Sequence, residues 1–103
     1  MRLHLIQDGG PFKEEILVNR FPFVVGRHMG CDHQLHHPMV SRRHCRFDRH
    51  GNRVSVTDLA SSNGTYLNGK PVRDTVPLRD GDEVSLACLS FRVTVDATQE
   101  ARV

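Results

Sequence analysis

Three short polar stretches carry the side chains best suited to chemistry. They are Gly26-Arg27, Ser41-Arg42-Arg43-His44 and Ser61-Ser62-Asn63-Gly64-Thr65. Together they offer guanidinium groups, hydroxyls, an amide and glycines that expose backbone N–H groups, and they contain no carboxylate. An arginine fork with hydroxyl and N–H donors suits an oxyanion such as phosphate, because charge-assisted hydrogen bonds are about twice as strong as neutral ones. The sequence therefore indicates anion binding, if the fold brings the three stretches together.

A histidine-rich segment offers an alternative, a metal site. Its candidate ligands are His28, Cys31, His33, His36 and His37. Imidazole and thiolate bind zinc, but no C-x-x-C pair occurs, and His33 and His37 stand in a loop or strand where an i, i+4 pair shares no helical face. We therefore expect no metal and no other cofactor, and interpret the segment as a solvated loop. His44 has no carboxylate partner at motif spacing and no nucleophile beside it, which favours a structural role over catalysis.

Eight short apolar or alternating runs predict the strands that must position these stretches. They are Leu3–Gln7, Glu15–Val18, Phe23–Gly26, His44–Asp48, Val54–Asp58, Thr65–Leu67, Glu83–Leu86 and Leu89–Val95. Within them, residues of one parity are apolar and form one buried face: Cys45 and Phe47, Val54 and Val56, Val84 and Leu86, and Phe91, Val93 and Val95. Many short strands without helical periodicity are typical of an all-β sandwich of two antiparallel or mixed sheets, with binding sites in loops at one end.

Composition narrows the classes of protein further. The chain has 103 residues and 38% hydrophobic content, enough for one modest core, so we expect one domain over residues 1–96 and a flexible tail over 97–103. A net charge of +2 does not predict nucleic-acid binding, although five arginines lie between positions 42 and 53. Cys31, Cys45 and Cys88 cannot all pair, and no apolar run is long enough to span a membrane. We expect a cytoplasmic monomer without membrane contact.

The order of the motifs resembles the forkhead-associated (FHA) domain. The matching residues, from about Leu3 to Val95, are Gly26-Arg27, Cys31-Asp32, Leu35, Pro38, Val40-Ser41-Arg42-Arg43-His44, Asp58-Leu59, Ser61-Ser62-Asn63-Gly64-Thr65, Asn68-Gly69, Leu78 and Gly81-Asp82. The resemblance implies an eleven-stranded β-sandwich whose loops at one end bind phosphothreonine in an extended peptide, without catalysis. It also implies a partner protein phosphorylated by a Ser/Thr kinase.

The resemblance assigns roles to single residues. Those expected to bind the phosphopeptide are Arg27, Ser41, Arg42 and Ser62 for the phosphate, and Asn63 for the main chain of the peptide. Those expected to shape the loops are Gly26, His44, Gly64, Thr65 and Asn68, the last as part of an Asn-Gly hairpin turn. Preference for phosphothreonine over phosphoserine is implied too, because the extra methyl can fill a small apolar niche.

Three departures from the family pattern modify these expectations. Ala60 and Ala87 stand where the family commonly has Gly, which predicts slightly different turn shapes. His33 and Gln34 replace residues that are usually apolar in the fourth strand, which predicts a short or irregular strand there.

A second hypothesis keeps the fold but not the ligand. The chain would then be a scaffold that docks a folded partner through a sheet face, and the three polar stretches would serve only as loop structure. A phosphopeptide competitor discriminates the two, since only a phosphopeptide reader would lose its partner.

Overall fold

The computed structural model describes residues 1–9 and 13–96, which form a sandwich of two β-sheets. The strands in these ranges are β1 (Arg2–Gln7), β2 (Glu15–Val18), β3 (Phe23–Gly26), β4 (His33–Gln34), β5 (Cys45–His50), β6 (Arg53–Asp58), β7 (Thr65–Leu67), β8 (Lys70–Pro71), β9 (Thr75–Leu78), β10 (Glu83–Leu86) and β11 (Leu89–Asp96). One sheet has the order β2-β1-β11-β10-β7-β8, and the other has the order β4-β3-β5-β6-β9. The predicted all-β sandwich is confirmed. The predicted tail, residues 97–103, lies outside the described residues.

Alternate residues of the strands build the core between the sheets. The buried faces predicted from parity are confirmed in β5, β6, β10 and β11, where Cys45, Phe47, Val56, Val84, Leu86 and Phe91 have no exposed surface. Val95, predicted on the same face, is only partly buried. Among the described residues there is no helix of the length and apolar character needed to cross a membrane.

Three strands are not among the eight predicted from the residue pattern, and all three lie at sheet edges. β8 and β9 contain Pro71 and Pro77, which cannot donate a ladder hydrogen bond and so weaken a strand signal. An edge strand tolerates proline because one side of it needs no partner. β4 has only two residues and pairs in parallel with β3, in line with the short fourth strand expected from His33 and Gln34. These edge strands are therefore defined by their pairing with neighbouring strands, and their own residue pattern does not identify them.

Strand pairing brings the polar stretches to one end of the sandwich. Cys45 at the start of β5 pairs with Val25 of β3 and with Asp58 at the end of β6. In the other sheet, Thr65 at the start of β7 pairs with Leu86 at the end of β10. The β3–β4 loop (27–32), the β4–β5 loop (35–44) and the β6–β7 loop (59–64) consequently leave the sheets at the same end, called here the loop end.

The Asn68-Gly69 pair forms the predicted hairpin turn, at the opposite end of β7. Both residues have positive φ, 49° and 84°, which suits a two-residue turn between Leu67 and Lys70. The Asn68 side chain also joins this turn to β10: its Nδ2 donates to Asp82 Oδ1 at 3.1 Å, and its Oδ1 accepts from the Glu83 N–H at 2.9 Å. Asn68 is therefore a structural residue remote from the loop end.

Replacing Asn68 with Ala should lower the free energy of unfolding by about 1–2 kcal/mol, because two side-chain hydrogen bonds are lost and Ala is strained at positive φ. Chemical denaturation measures the loss. Asn52→Ala is the matched control, since Asn52 lies in the exposed turn between β5 and β6 and should change stability by less than about 0.5 kcal/mol. Equal small losses in both variants would contradict the role assigned to Asn68.

Candidate anion-binding site

A cleft of about 380 Å³ lies at the loop end. Its lining consists of Arg27, Pro38, Met39, Val40, Ser41, Arg42, Arg43, Ala60, Ser62 and Asn63. The structure thus gathers all five residues predicted to bind the phosphopeptide. Three arginines and no acidic side chain line this part of the described structure, so the cleft is electropositive and suited to an anion.

Arg27 is held at the cleft by its own backbone and by one atom of its side chain. The Arg27 N–H donates to the Ser41 carbonyl and the Arg27 Nε donates to the Val40 carbonyl, both at 2.9 Å. Within the described part of the chain, the two Nη groups have no hydrogen-bond or ion-pair partner. The guanidinium is therefore oriented by Nε and keeps its two terminal amino groups for a ligand.

The hydroxyl of Ser41 connects two of the loops. Its Oγ accepts a hydrogen bond of 2.9 Å from the Ser62 N–H, across the gap between the β4–β5 and β6–β7 loops. A hydroxyl that accepts one bond still has its own O–H to donate. Ser41 therefore positions Ser62 beside Arg27 and keeps a donor for a phosphate oxygen.

Asn63 is also held by one part of its side chain. The Nδ2 of Asn63 donates to the Met39 carbonyl at 2.8 Å, and the Asn63 carbonyl accepts from the Tyr66 hydroxyl at 3.2 Å. Nδ2 also lies 4.0 Å from the Met39 Sδ, which is a weak contact, so its second N–H and Oδ1 can bond the main chain of a peptide. Sequence reasoning did not single out Met39, because its contribution is a backbone carbonyl and carries no residue-type signal.

His44 ties the β4–β5 and β6–β7 loops together from inside the protein. Its side chain is fully buried, Nδ1 accepts from the Ser41 N–H at 3.1 Å, and Nε2 lies 2.8 Å from the Gly64 carbonyl. Because Nδ1 accepts, the ring proton resides on Nε2, which donates to Gly64. Burial lowers the pKa of His44 below 6.5, although the Gly64 carbonyl and the charge of Asp58 act in the opposite direction.

Asp58, at the end of β6, organises the β6–β7 loop. Its Oδ1 accepts from the hydroxyls of Ser61 at 2.6 Å and Thr65 at 2.7 Å, and its Oδ2 accepts from the Ser61 N–H at 3.2 Å. The Ser61 hydroxyl in turn accepts from the Gly64 N–H at 3.0 Å. Burial of Asp58 raises its pKa, but the hydrogen bonds from Ser61 and Thr65 outweigh burial and leave the pKa below 3.8. The sequence placed Asp58 in the family motif without assigning it this role.

Two glycines are required by the geometry of the loop end. A Cβ on Gly26 would clash with the Arg42 carbonyl oxygen and would lie 2.9 Å from the Cα of Arg43, so only glycine allows the β4–β5 loop to approach β3 this closely. Gly64 has a φ of 87°, and a Cβ there would lie 2.8 Å from the Tyr66 hydroxyl. Both positions therefore have the loop-shaping geometry expected of them.

The two alanines that replace family glycines both adopt left-handed backbone conformations. Ala60 has a φ of 56° and Ala87 a φ of 54°. A residue with a Cβ pays a steric penalty of about 1–2 kcal/mol there, so the turns keep a glycine-like shape at a cost in strain. The Ala87 N–H nevertheless donates to the Gly64 carbonyl at 2.9 Å, which fixes the β10–β11 turn against the site.

The fold separates the residues of the histidine-rich segment into individual contacts with different partners. His28 Nδ1 accepts from the Gly30 N–H at 2.8 Å, His37 Nδ1 accepts from the Met39 N–H at 3.1 Å, and His33 Nε2 lies 2.8 Å from Glu14. Among the described residues, no group of three or more His, Cys, Asp or Glu side chains is arranged to hold a metal ion.

Comparison with known proteins defines the class. The sequence profile of the FHA domain matches residues 23–87, and the chain belongs to this family. FHA domains are modules that bind phosphothreonine peptides and are not a catalytic family. A solved FHA domain, described under "Structural and functional analysis of phosphothreonine-dependent FHA domain interactions", superposes with a TM-score of 0.82 and 28% identity, over 93% of this chain and 98% of that one.

Two curated relatives show how the chain relates to longer proteins. It is 35% identical over 100 residues to the oxoglutarate dehydrogenase inhibitor of Corynebacterium jeikeium, covering 96% of this chain and 67% of that protein. It is 46% identical over 61 residues to the glycogen accumulation regulator GarA of Mycobacterium tuberculosis, covering 59% of this chain and 37% of that protein. The chain thus matches only part of each.

Stability should fall as the pH drops below about 6.5, the ordinary pKa of histidine. The folded state holds His44 neutral with a lowered pKa, so the unfolded chain binds more protons in this range. Denaturant titrations at pH 7.5 and 5.5 measure the effect. His44→Gln should be less stable and less sensitive to pH, whereas His50→Gln, at an exposed position, should behave like the parent protein.

Ring ¹⁵N chemical shifts of the parent protein test the same assignment without a variant. They should show the proton of His44 on Nε2 and a ring that is more than half neutral at pH 6.5, because burial lowers the pKa of His44. A proton on Nδ1, or half-protonation of His44 at pH 6.5, would overturn the role given to the buried imidazole.

Proposed function

We propose that the cleft at the loop end binds the phosphate of phosphothreonine in an extended peptide, with Arg27, Ser41, Arg42 and Ser62 as phosphate donors. The observation that carries the proposal is that single side chains hold a loop with one atom and keep other donors free for a ligand. Arg27 and Ser41 each use one atom or lone pair to hold the loops, and each keeps donors for a ligand. Donors fixed before binding reduce the ordering cost of association.

Asn63 fixes the register of the peptide in this proposal. Its amide is anchored on the Met39 carbonyl, and Asn63 lines the same cleft as Ser62. The remaining N–H and Oδ1 can bond a peptide main chain on both sides of one residue, which places the phosphothreonine over Arg27. Family membership supports this reading, because FHA domains bind phosphothreonine peptides.

The module acts, in this proposal, by docking phosphorylated partner proteins after a Ser/Thr kinase has modified them. It performs no catalysis itself. We place it in the cytoplasm, because three free cysteines fit a reducing compartment, and we take residues 1–96 as one binding domain. The chain is proposed to act as a monomer, since one cleft contains all five binding residues.

Arg27→Ala should weaken binding of a phosphothreonine peptide about 100-fold, because two charge-assisted hydrogen bonds are lost. Isothermal titration calorimetry measures the affinity. The free energy of unfolding should fall by only about 1 kcal/mol, because the variant also loses the hydrogen bond from Arg27 Nε to the Val40 carbonyl. Arg53→Ala is the charge-matched control, because Arg53 is exposed at the start of β6, away from the loop end. Normal binding by Arg27→Ala would show that the cleft is not the phosphate site.

Matched phosphothreonine, phosphoserine and unmodified peptides should bind in that order. The threonine methyl should contribute about fourfold over phosphoserine, the value of one buried methyl group, and the unmodified peptide should not bind measurably. Equal binding of all three would sink the proposal in favour of a phosphate-independent scaffold. A natural partner that a phosphothreonine peptide cannot displace would point to the same conclusion.

A further inference from the structure

We infer that a second cavity beside the cleft is a subsite for one acidic side chain, Asp or Glu, of the bound phosphopeptide. The inference rests on the proposed function and adds the class of peptide that is recognised. The second cavity has a volume of about 430 Å³ and is lined by Val24, His28, Gly30, Cys31, Asp32, Arg42 and Arg43. Arg42 and Arg43 line both cavities, so the two sites share a wall.

The arginines at the two cavities carry more charge than one phosphate neutralises. Arg27, Arg42 and Arg43 form no ion pair within the described residues. A phosphothreonine carries about −1.5 to −2 charges near neutral pH. About one positive charge therefore remains, and it lies on the wall shared with the second cavity. One further carboxylate on the peptide would neutralise it.

Asp32 is the acidic residue that lines the second cavity, and both of its carboxylate oxygens already accept hydrogen bonds from protein groups. Its Oδ1 accepts from Arg20 Nη2 at 2.9 Å and its Oδ2 accepts from the Val24 N–H at 2.8 Å. The hydrogen bond from Val24 lowers the pKa of Asp32 despite partial burial, and the charges of Arg20 and Arg43 act in the same direction. Arg20 therefore compensates Asp32 at contact distance, and Arg43 remains available to a ligand.

The lining suits a carboxylate on a short apolar stem. Half-buried Val24 and Cys31 give the cavity apolar surface, and the arginines give it a cationic wall. Burial raises the pKa of the Cys31 thiol, which therefore stays uncharged beside a carboxylate. The Cys31 Sγ donates to the Arg42 carbonyl at 3.1 Å, as does the His28 N–H, so the backbone of the shared wall is fixed from the side of the second cavity.

A series of phosphothreonine peptides tests the subsite. Each peptide carries Glu at one flanking position, is matched by the same peptide with Gln, and is titrated against three proteins. With the parent protein, Glu at one position should bind about fivefold more tightly than Gln, the upper range for a partly exposed ion pair. The gain should disappear in Arg43→Gln and persist in Arg53→Gln, which removes the same charge away from the loop end.

Three results would overturn the subsite alone: equal binding of Glu and Gln at every position, an equal gain at all positions, or a gain that survives Arg43→Gln. In each of these cases phosphothreonine peptides still bind, so the proposed function stands. Failure of the parent protein to bind any phosphothreonine peptide would instead overturn the proposed function, and this inference with it.

Discussion

The loop end depends on a neutral imidazole held between two loops. His44 is fully buried and satisfies both of its ring nitrogens, one on the Ser41 N–H and the other on the Gly64 carbonyl. A buried polar group without partners costs several kcal/mol, so the loops cannot separate without exposing or orphaning the ring. The buried His44 side chain thereby fixes the distance between the β4–β5 and β6–β7 loops, beneath the cleft that would contact the ligand.

The hydrogen bonds around His44 form one connected network. Asp58 accepts from Ser61, and Ser61 accepts from Gly64. His44 bonds both Gly64 and Ser41, and Ser41 accepts from Ser62 in the loop that Asp58 organises. Removing one member leaves its neighbours unsatisfied, so the effects of substitutions within the network should not add. A network of this kind makes the donors of the cleft rigid, and a phosphate then meets groups already in place.

The sequence predicted the parts of the fold that carry their own signal. Alternating apolar residues identified the central strands, and Asn68-Gly69 identified its turn, because both features act over a few neighbouring residues. The edge strand β9 was missed because Pro77 weakens its pattern and only pairing with β6 defines it. In the site, the motif named the binding side chains. It could not reveal that Asp58 orders the loop or that Met39 anchors Asn63, because those contacts depend on the folded geometry.

Partial anchoring explains why particular residue types stand at the cleft. Arg27 uses Nε to hold the Val40 carbonyl and still has two amino groups for a ligand, whereas a lysine has a single nitrogen at the end of a flexible stem. Ser41 can accept from Ser62 and still donate, which alanine cannot do. Asn63 can give one N–H to Met39 and retain both a donor and an acceptor, whereas aspartate would lose the donors and bring a negative charge to the anion site. Arg27, Ser41 and Asn63 thus each meet two requirements: they order the loops, and they provide groups that can bind the ligand.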